Sequence, residues 1–341
     1  MKPLAKALIS RMPQLTVLRS AETALENAKR NQPDIRLTIG DLAAAPPLAG
    51  HDSAIVIAAG PSLHRHNPVA EIVSSGYEGD IVAADGALGY CLRNGLVPDY
   101  VVTLDPHPTR ICRWFGDQNL ASRRDGDDYF RRQDLDPHLG TDELARNQEL
   151  LALVNRHGPS IKAVICTSAD RSVATRCREA GMTLYWWNPL MDDVDRRESV
   201  ARALYRLNKV PCMVSGGNVG SAAWVFTHQV LRRPEVAVVG MDLSYPPGTP
   251  LTKTQYYTEL KALFGDRAEE AMTPIQNPHT QETWHADPAY FWYRSCFLEL
   301  AAQAPCTTFN CTEGGVLFGD GVEWMPLREF LASRSPARQE T

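Results

Sequence analysis

The stretch that decides the fold is Ser53-Ala54-Ile55-Val56-Ile57-Ala58-Ala59-Gly60-Pro61-Ser62-Leu63. Its first part, Ala54 to Ala59, is an apolar run with the length and β-branched character expected of a strand buried in a parallel sheet. Gly60 ends the run, and Pro61, with a fixed φ and no N–H, suits the first turn of a helix. The stretch therefore predicts a strand, a tight turn and a helix start.

The turn after this strand favours an anion such as a phosphate. Free amides at the helix start and the Ser62 hydroxyl are donors that a phosphate can accept from. The pattern is not a P-loop, because no Gly-Lys-Ser/Thr follows, and Ala58 replaces the first glycine of a Gly-x-Gly-x-x-Gly fingerprint. A plain β–α connection is the alternative. We take Gly60, Pro61 and Ser62 as candidate cofactor-binding residues.

The rest of the chain continues the alternation, with apolar runs at 81–84, 100–104, 163–166, 184–187 and 236–240. This predicts an α/β fold with a Rossmann-like, doubly wound and mostly parallel sheet covered on both faces by helices. We expect an N-terminal helical extension over 1–50, containing an exposed helix from Ser20, and a main domain over 51–332. An insertion at about 244–287 lies near the C-terminal edge, where α/β proteins place substrate loops, and 333–341 form a polar tail.

The composition is that of an ordinary globular protein. At 341 residues, with 44% hydrophobic and 22% charged residues, the chain can bury a large core. A net charge of −5 gives no reason to expect a nucleic-acid partner. No run reaches membrane-spanning length, no signal-peptide core is present, and the 8 cysteines show no metal or disulfide spacing. We expect a cytoplasmic protein with reduced cysteines.

Three carboxylates, Asp85, Asp105 and Asp242, follow apolar runs directly or closely. In a doubly wound sheet this position is the carboxyl edge, where ligands bind. Carboxylates there hold Mg²⁺ against a diphosphate or accept hydrogen bonds from a ribose. Capping of the following helix is the alternative, and it is common for Asp. We expect Asp85, with its neighbour Gly86, and Asp105 to be ligand or metal residues, and leave Asp242 open between site and cap.

Two glycine-rich turns and one histidine complete the candidates. Ser215-Gly216-Gly217-Asn218-Val219-Gly220-Ser221 opens a helical run and favours an anion or base-edge cradle over close helix packing. In Thr312-Glu313-Gly314-Gly315, Glu313 follows a late apolar run and is a candidate ligand-facing carboxylate. His107 lies two residues beyond Asp105 and is a candidate general base.

Three of these elements together resemble the MptE-like family: 58–63, Ala84-Asp85-Gly86-Ala87, and Gly95-Leu96-Val97-Pro98-Asp99 continuing to Leu104-Asp105-Pro106. The family joins archaeal 6-hydroxymethylpterin diphosphokinases to bacterial motility accessory factors that glycosylate flagellin. The Asp-Gly-Ala and Leu-Asp-Pro elements are also similar to thiamin pyrophosphokinases. Gly-Pro-Ser-Leu looks like the nucleotide loop of a bacterial sialyltransferase family that uses CMP-sugars.

The resemblance extends downstream and covers about residues 53–330. The segments 216–219, 239–243 and 310–315 look like the Gly-rich helix start, the Gly-Gln-Asp-Leu and the Asn-x-Thr-Glu-Gly-Gly of the accessory factors. Two departures stand out. Ala58-Ala59 replaces a usual glycine or asparagine, and Met241 replaces the glutamine of the accessory factors.

The resemblance implies, first, a glycosyltransferase-like enzyme that uses a nucleotide-activated sugar of the CMP type. The Gly60 loop would hold the phosphate and the turn 216–221 the nucleotide. The hydroxyl of a small-molecule or protein acceptor would be activated by Asp105, Asp242 or a loop histidine such as His107.

The second implied activity is a diphosphokinase that moves diphosphate from ATP to a hydroxymethylpterin-like substrate, with Asp85 and Asp105 holding Mg²⁺. A nucleotide-binding module without catalysis is a third possibility. The downstream Glu-Gly-Gly element and the insertion resemble the accessory factors more than the compact diphosphokinases. The sequence therefore favours sugar transfer.

Overall fold

The computed structural model describes residues 6, 8–9, 12–46, 52–107, 111–123 and 142–334. Within these residues ten strands form one sheet in which every pair of neighbours is parallel. A separate antiparallel pair, β9 and β10, lies in the insertion. The strands are β1 Leu37–Thr38, β2 Ser53–Ile57, β3 Asp80–Ala84, β4 Tyr100–Val102, β5 Lys162–Cys166, β6 Thr183–Leu190, β7 Cys212–Val214, β8 Glu235–Val239, β9 Thr273–Gln276, β10 Thr283–Ala286, β11 Thr307–Asn310 and β12 Glu323–Trp324.

The α-helices lie between the strands, and a π-helical segment, Phe226–Val230, follows one of them directly. The helices are α1 Met12–Asn31, α2 Ile39–Ala44, α3 Ser62–His66, α4 Pro68–Ser75, α5 Asp85–Arg93, α6 Leu120–Arg123, α7 Glu143–His157, α8 Arg171–Glu179, α9 Val200–Asn208, α10 Val219–Val225, α11 Tyr257–Phe264, α12 Pro288–Ala301 and α13 Leu327–Arg334.

The order of strands across the sheet creates a switch point next to β2. The order is β1-β6-β5-β4-β3-β2-β8-β11-β12, and β7 pairs with β6. The chain builds outward from β2 to β6 and then crosses back to add β8 on the other side of β2. In open α/β sheets, ligands bind at the carboxyl ends of the strands where the order reverses in this way. The expected Rossmann-like fold is confirmed.

Both faces of the sheet are covered, which explains why its central strands are apolar throughout. In β2, Ile55 and Ile57 pack into a layer that includes residues of α4 and α13, whereas Val56 packs into a second layer with residues of α10. The strands β3 and β8 alternate in the same way. A strand buried on both sides needs apolar residues at every position, and this makes it recognisable from sequence.

The predicted strands are present with ends shifted by a few residues. The first lies at Ser53–Ile57 instead of 54–59, and β6 continues to Leu190, three residues beyond the prediction. The insertion contains short 3₁₀ turns, α11 and the β9–β10 hairpin, and it has a small apolar cluster of its own. The sequence also predicts a short strand within 35–39, where β1 lies, but it does not predict the short strands β7 and β12.

The helix expected to be exposed in the N-terminal extension is instead docked on the sheet. Its Asn27 side chain donates to the carbonyls of Pro106 and Ser168, both at 2.9 Å, and Asn31 donates to Thr167 and Ala169 at 2.9 and 2.8 Å. Asn27 and Asn31 are almost fully buried. The prediction of an exposed helix was wrong because two side-chain amides, which look solvent-facing in sequence, bind the loops after β4 and β5.

The polar tail expected over 333–341 lies largely outside the described residues. The part that is described ends α13, where the Arg334 guanidinium pairs with the Glu235 carboxylate at 2.7 and 2.8 Å. No helix in the described part of the chain combines the length and the apolar character needed to cross a membrane.

We predict that Asn31→Ala destabilises the protein. The substitution leaves two buried carbonyls without their donor, which costs about 1–3 kcal/mol. Thermal or urea unfolding measures the loss, and Lys29→Ala, at an exposed position of the same helix, is the matched control with little effect. Equal stability of both variants would contradict the docking role of α1.

Candidate active site

A cavity of about 780 Å³ opens at the carboxyl edge of the sheet across the switch point. The loops after β2 to β8 line it, joined by residues of α1, the insertion and α12. It lies where the strand order predicts a ligand. All the candidate site residues from the sequence line it except Ser62 and Glu313; they are Gly60, Pro61, Asp85, Gly86, Asp105, His107, Ser215, Gly216, Gly217, Asn218 and Asp242.

Asp85 and Asp105 form the acidic part of the cavity. Asp85 is the first residue of α5 and is buried, and its Oδ1 accepts a hydrogen bond from the Gly86 amide at 2.8 Å. Burial raises the pKa of Asp85 to about 7; the Gly86 bond opposes this rise, and the charge of Asp105 adds to it. Asp105 is half-buried and accepts from the His107 amide at 2.7 Å. The two side chains are close enough to act on each other electrostatically.

The acidic pair fits a metal only in part. No group of three or more His, Cys, Asp or Glu side chains in the described residues is arranged so that it could hold a metal ion. The protein side chains therefore provide no complete metal cage there. Two carboxylates are nevertheless what Mg²⁺ uses when substrate phosphates and water supply its remaining ligands. Asp85 and Asp105 are thus compatible with a metal that arrives with a nucleotide.

Asp242 has a role in joining loops. Its Oδ2 accepts from the Ser62 amide at 3.0 Å, and its Oδ1 accepts from the Ser62 hydroxyl. Burial raises the pKa of Asp242 to about 6, and the two bonds from Ser62 oppose that rise. The carboxylate therefore caps α3, the helix after β2, from the loop after β8. This differs from the capping alternative, which concerned the helix that follows Asp242, and Asp242 also lines the cavity.

The phosphate cradle expected at Gly60 to Ser62 is already occupied by bonds within the chain. The Gly60 amide donates to the Gly240 carbonyl at 2.9 Å, Pro61 has no N–H, and both donors of Ser62 bind Asp242. A Cβ at Gly60 would collide with the Asp242 carboxylate and the Gly240 carbonyl. Gly60 is therefore required by the contact between two loops. The expected direct contact of Ser62 with a ligand is corrected accordingly.

The second glycine-rich turn faces the cavity. Gly216 and Gly217 have φ of 62° and 87°, in the left-handed region that glycine tolerates. The first amides of a helix have no acceptor within that helix. At the start of α10 the Asn218 side chain supplies one by accepting from the Ser221 amide at 3.0 Å. The Gly217 amide likewise donates to the Ser215 hydroxyl at 3.3 Å, so the turn places a tight backbone and a neutral cap at the edge of the cavity.

Glu313 does not line the cavity. Its Oε1 accepts from the Leu327 amide at 3.0 Å, at the start of α13, and its backbone has a φ of 56°. A negative side chain at that position stabilises a helix start. The structure therefore gives Glu313 a helix-capping contact in place of the expected ligand-facing position.

Sequence reasoning missed an aromatic part of the cavity, which we call the aromatic wall. It consists of Tyr256 from the insertion and Tyr290, Trp292 and Tyr293 from α12. The signal was the run Tyr290-Phe291-Trp292-Tyr293, because so many aromatic rings at one helix start exceed what a single core-facing stripe needs. Ser20 and Thr23 of α1 also line the cavity and were not anticipated.

Comparison with known proteins supports the resemblance. Residues 22–117 match the model of the MptE-like family, described as 6-hydroxymethylpterin diphosphokinase MptE-like. The resemblance to that family, indicated by the sequence motifs, is confirmed. No curated protein matches the sequence.

The fold is similar to that of the MAf glycosyltransferase from Magnetospirillum magneticum AMB-1, with a TM-score of 0.54 and 14% sequence identity. The similarity covers 93% of this chain but 42% of that one, so this chain spans less than half the length of the solved relative. At 14% sequence identity the comparison is evidence about the fold alone. The parallel sheet and its flanking helices are thus shared with a much longer protein.

We predict that Asp85→Asn stabilises the protein at alkaline pH. Because the folded-state pKa is raised to about 7, the carboxylate opposes folding progressively as the pH rises from about 4 through 7. The amide cannot ionise, so the variant should gain on the order of 1–4 kcal/mol at pH 8 and far less at pH 5. Melting temperatures at both pH values measure this. Asp320→Asn, at an exposed position, is the control, and an equal shift at both pH values would contradict the prediction.

Ser62→Ala should destabilise the protein, and more at pH 8 than at pH 5. A hydrogen bond to an ionised group is worth about 1.5–3 kcal/mol, and Asp242, with a pKa of about 6, is ionised at the higher pH. Urea unfolding at the two pH values tests this, with the exposed Ser74→Ala as control. If Ser62→Ala were as stable as the wild type but bound nucleotide more weakly, the result would support a direct contact between Ser62 and the ligand.

Proposed function

We propose that this chain is a transferase that takes a sugar from a nucleotide-activated donor, of the CMP type, and passes it to a hydroxyl acceptor. The observation that carries this is the composition of the one cavity described above. It combines an acidic pair, a glycine-rich turn and an aromatic wall at the switch point of the sheet. A group-transfer enzyme needs all three functions together: a base, a phosphate site and surfaces for two organic substrates.

The size of the cavity suits a nucleotide-sized ligand. Pockets that hold a single drug-sized ligand run from about 300 to 1,000 Å³. At about 780 Å³ the cavity lies in the upper part of that range, and it is lined by loops from both sides of the switch point. The donor can therefore occupy it across the switch point.

The donor phosphate binds at the turn 216–220, at the start of α10. The amides at a helix start and the positive end of its dipole favour an anion. The Gly60 loop is less suited to this role, because the carboxylate of Asp242 caps α3, whereas the corresponding cap of α10 is the neutral amide of Asn218. We therefore assign the phosphate to the second glycine-rich turn, 216–220, and not to the turn at Gly60.

Asp105 activates the acceptor. Its Oδ1 is oriented by the His107 amide at 2.7 Å, and the half-buried carboxylate lines the cavity. As general base it removes the proton of the acceptor hydroxyl while the oxygen attacks the anomeric carbon of the donor sugar. The bond between that carbon and the phosphate oxygen breaks, and the nucleotide leaves with the bonding electrons.

A second candidate is transfer of diphosphate from ATP, favoured by the family match over 22–117. Asp85 and Asp105 would then hold Mg²⁺, which neutralises charge on the phosphates when bound. The aromatic wall would accommodate a flat heterocyclic acceptor. This activity requires Mg²⁺ for turnover, whereas the proposed sugar transfer relies on Asp105 as base.

A nucleotide panel separates the two activities. Thermal shift is measured with CMP, CMP-N-acetylneuraminate, UDP and ATP, each with and without Mg²⁺, followed by assays for donor cleavage. Stabilisation by CMP and cleavage of the CMP-sugar support sugar transfer. Stabilisation by Mg-ATP with release of AMP supports the diphosphokinase. Binding without cleavage of either donor would leave a nucleotide-binding module and refute catalysis.

We predict that Asp105→Asn lowers turnover of the CMP-sugar by about 10²–10⁴-fold, the contribution of a general base. The affinity for CMP and the melting temperature should change little, because the phosphate lies at the other turn and the side chain is half-buried. Titration of CMP and initial rates measure both effects, with Asp320→Asn as control. Loss of Mg-ATP binding in Asp105→Asn would support the diphosphokinase, and unfolding would make Asp105 structural.

A further inference from the structure

We infer that the aromatic wall is the nucleobase subsite of the donor. This inference rests on the proposed function, because it assumes that the donor is a nucleotide. It adds the identity of the group that binds to Tyr256, Tyr290, Trp292 and Tyr293. Any of the nucleobases can stack on an aromatic ring, since every base has a π-face.

The wall directly adjoins the phosphate turn. A Cβ on Gly217 would lie 2.7 Å from Cδ1 of Tyr293 and 2.9 Å from Cζ3 of Trp292. The two rings therefore contact the backbone of the turn that binds the phosphate. In a nucleotide only the ribose separates phosphate from base, so a phosphate on this turn brings its base to these rings.

The rings of the wall are open to a ligand, in contrast to the four tryptophans at the centre of the core. Trp186, Trp187, Trp224 and Trp284 are completely buried in the core. The four rings of the wall are only half-buried although they line a cavity. Their remaining surface faces space that a ligand can fill, and covering it with a base removes apolar area from water.

Hydrogen bonds hold the wall in place before any ligand arrives. The Tyr290 hydroxyl donates to Oε1 of Gln255 at 2.6 Å, and the hydroxyls of Tyr256 and Tyr293 lie 3.1 Å apart. Beneath them, buried Asp287 accepts from the Tyr290 amide and from the Tyr245 hydroxyl, both at 2.8 Å. Little side-chain entropy is therefore lost when a ring stacks here.

Strand order separates the wall from the acidic pair. Asp85 and Asp105 follow β3 and β4, on one side of β2, whereas the insertion and α12 connect β8 to β11 on the other side. The proposed general base, Asp105, and the acceptor hydroxyl therefore lie on the side of β3 and β4. On the second side the carboxylate of Asp287 accepts from the Tyr290 amide and the Tyr245 hydroxyl beneath the rings, so the surface that the wall offers is aromatic and suits the non-reacting end of the donor.

The experiment compares Tyr293→Leu, which removes the ring, with Tyr293→Phe, which keeps it. Affinities for CMP, ATP and inorganic pyrophosphate are measured by titration calorimetry on the full chain. Tyr205→Leu, at an exposed tyrosine outside the cavity, is the control. Stacking predicts a loss of about 10- to 100-fold for the nucleotide in Tyr293→Leu, near wild-type affinity in Tyr293→Phe, and unchanged pyrophosphate binding in both.

Trp292→Leu repeats the test in case Tyr293→Leu does not fold. If CMP or ATP binds the wild type and both leucine variants keep that affinity, the subsite assignment is wrong while the proposed function stands. A raised acceptor KM with unchanged nucleotide affinity would place the acceptor on the wall and also overturn the assignment. If neither nucleotide binds the wild type, the proposed function itself fails.

Discussion

Two hydrogen bonds from Ser62 to Asp242 hold together the loops that follow β2 and β8, and the shape of the site depends on them. A third loop joins the same point, because the Val316 amide donates to the Asp242 carbonyl at 2.9 Å. A Cβ on Gly60 or Gly315 would collide with Asp242. Protein atoms therefore fill the space between these loops next to the strand ends, and the space for a ligand begins beyond Asp242. A buried carboxylate is costly, and these donors compensate part of that cost.

Most of the sheet could be predicted because central parallel strands must be apolar on both faces. That requirement leaves continuous runs such as those of β2, β3 and β8, and it leaves a carboxylate such as Asp85 visible at the point where a run stops. Short edge strands carry no such signal. β7 and β12, which were not predicted, have three and two residues, too few to show any period. The convergence of the acidic residues on one cavity follows from the parallel direction of the strands.

The partners of the site residues could not be predicted, because they depend on contacts between distant parts of the chain. Ser62 and Asp242 are separated by 180 positions, and a serine at a helix start looks the same whether its partner is a phosphate or a carboxylate. Glu313 likewise binds a helix that starts 14 residues later. In the first case an internal carboxylate accepts from donors that sequence alone assigns to a ligand, and in the second an internal amide binds the carboxylate that sequence assigns to a ligand. Helix starts attract either kind of anion for the same electrostatic reason.

The lining of the cavity extends from Ser20 in α1 to Gln303 just after α12, and this has a consequence for how the protein is made. During synthesis the early strands can pair before the later ones exist, but no binding site is complete until α12 has been added. Substrate cannot bind an unfinished chain and stabilise it prematurely. A protease cut anywhere between Ser20 and Gln303 would divide the residues that line the cavity between two fragments. Ligand binding thus depends on residues from nearly the whole length of the chain.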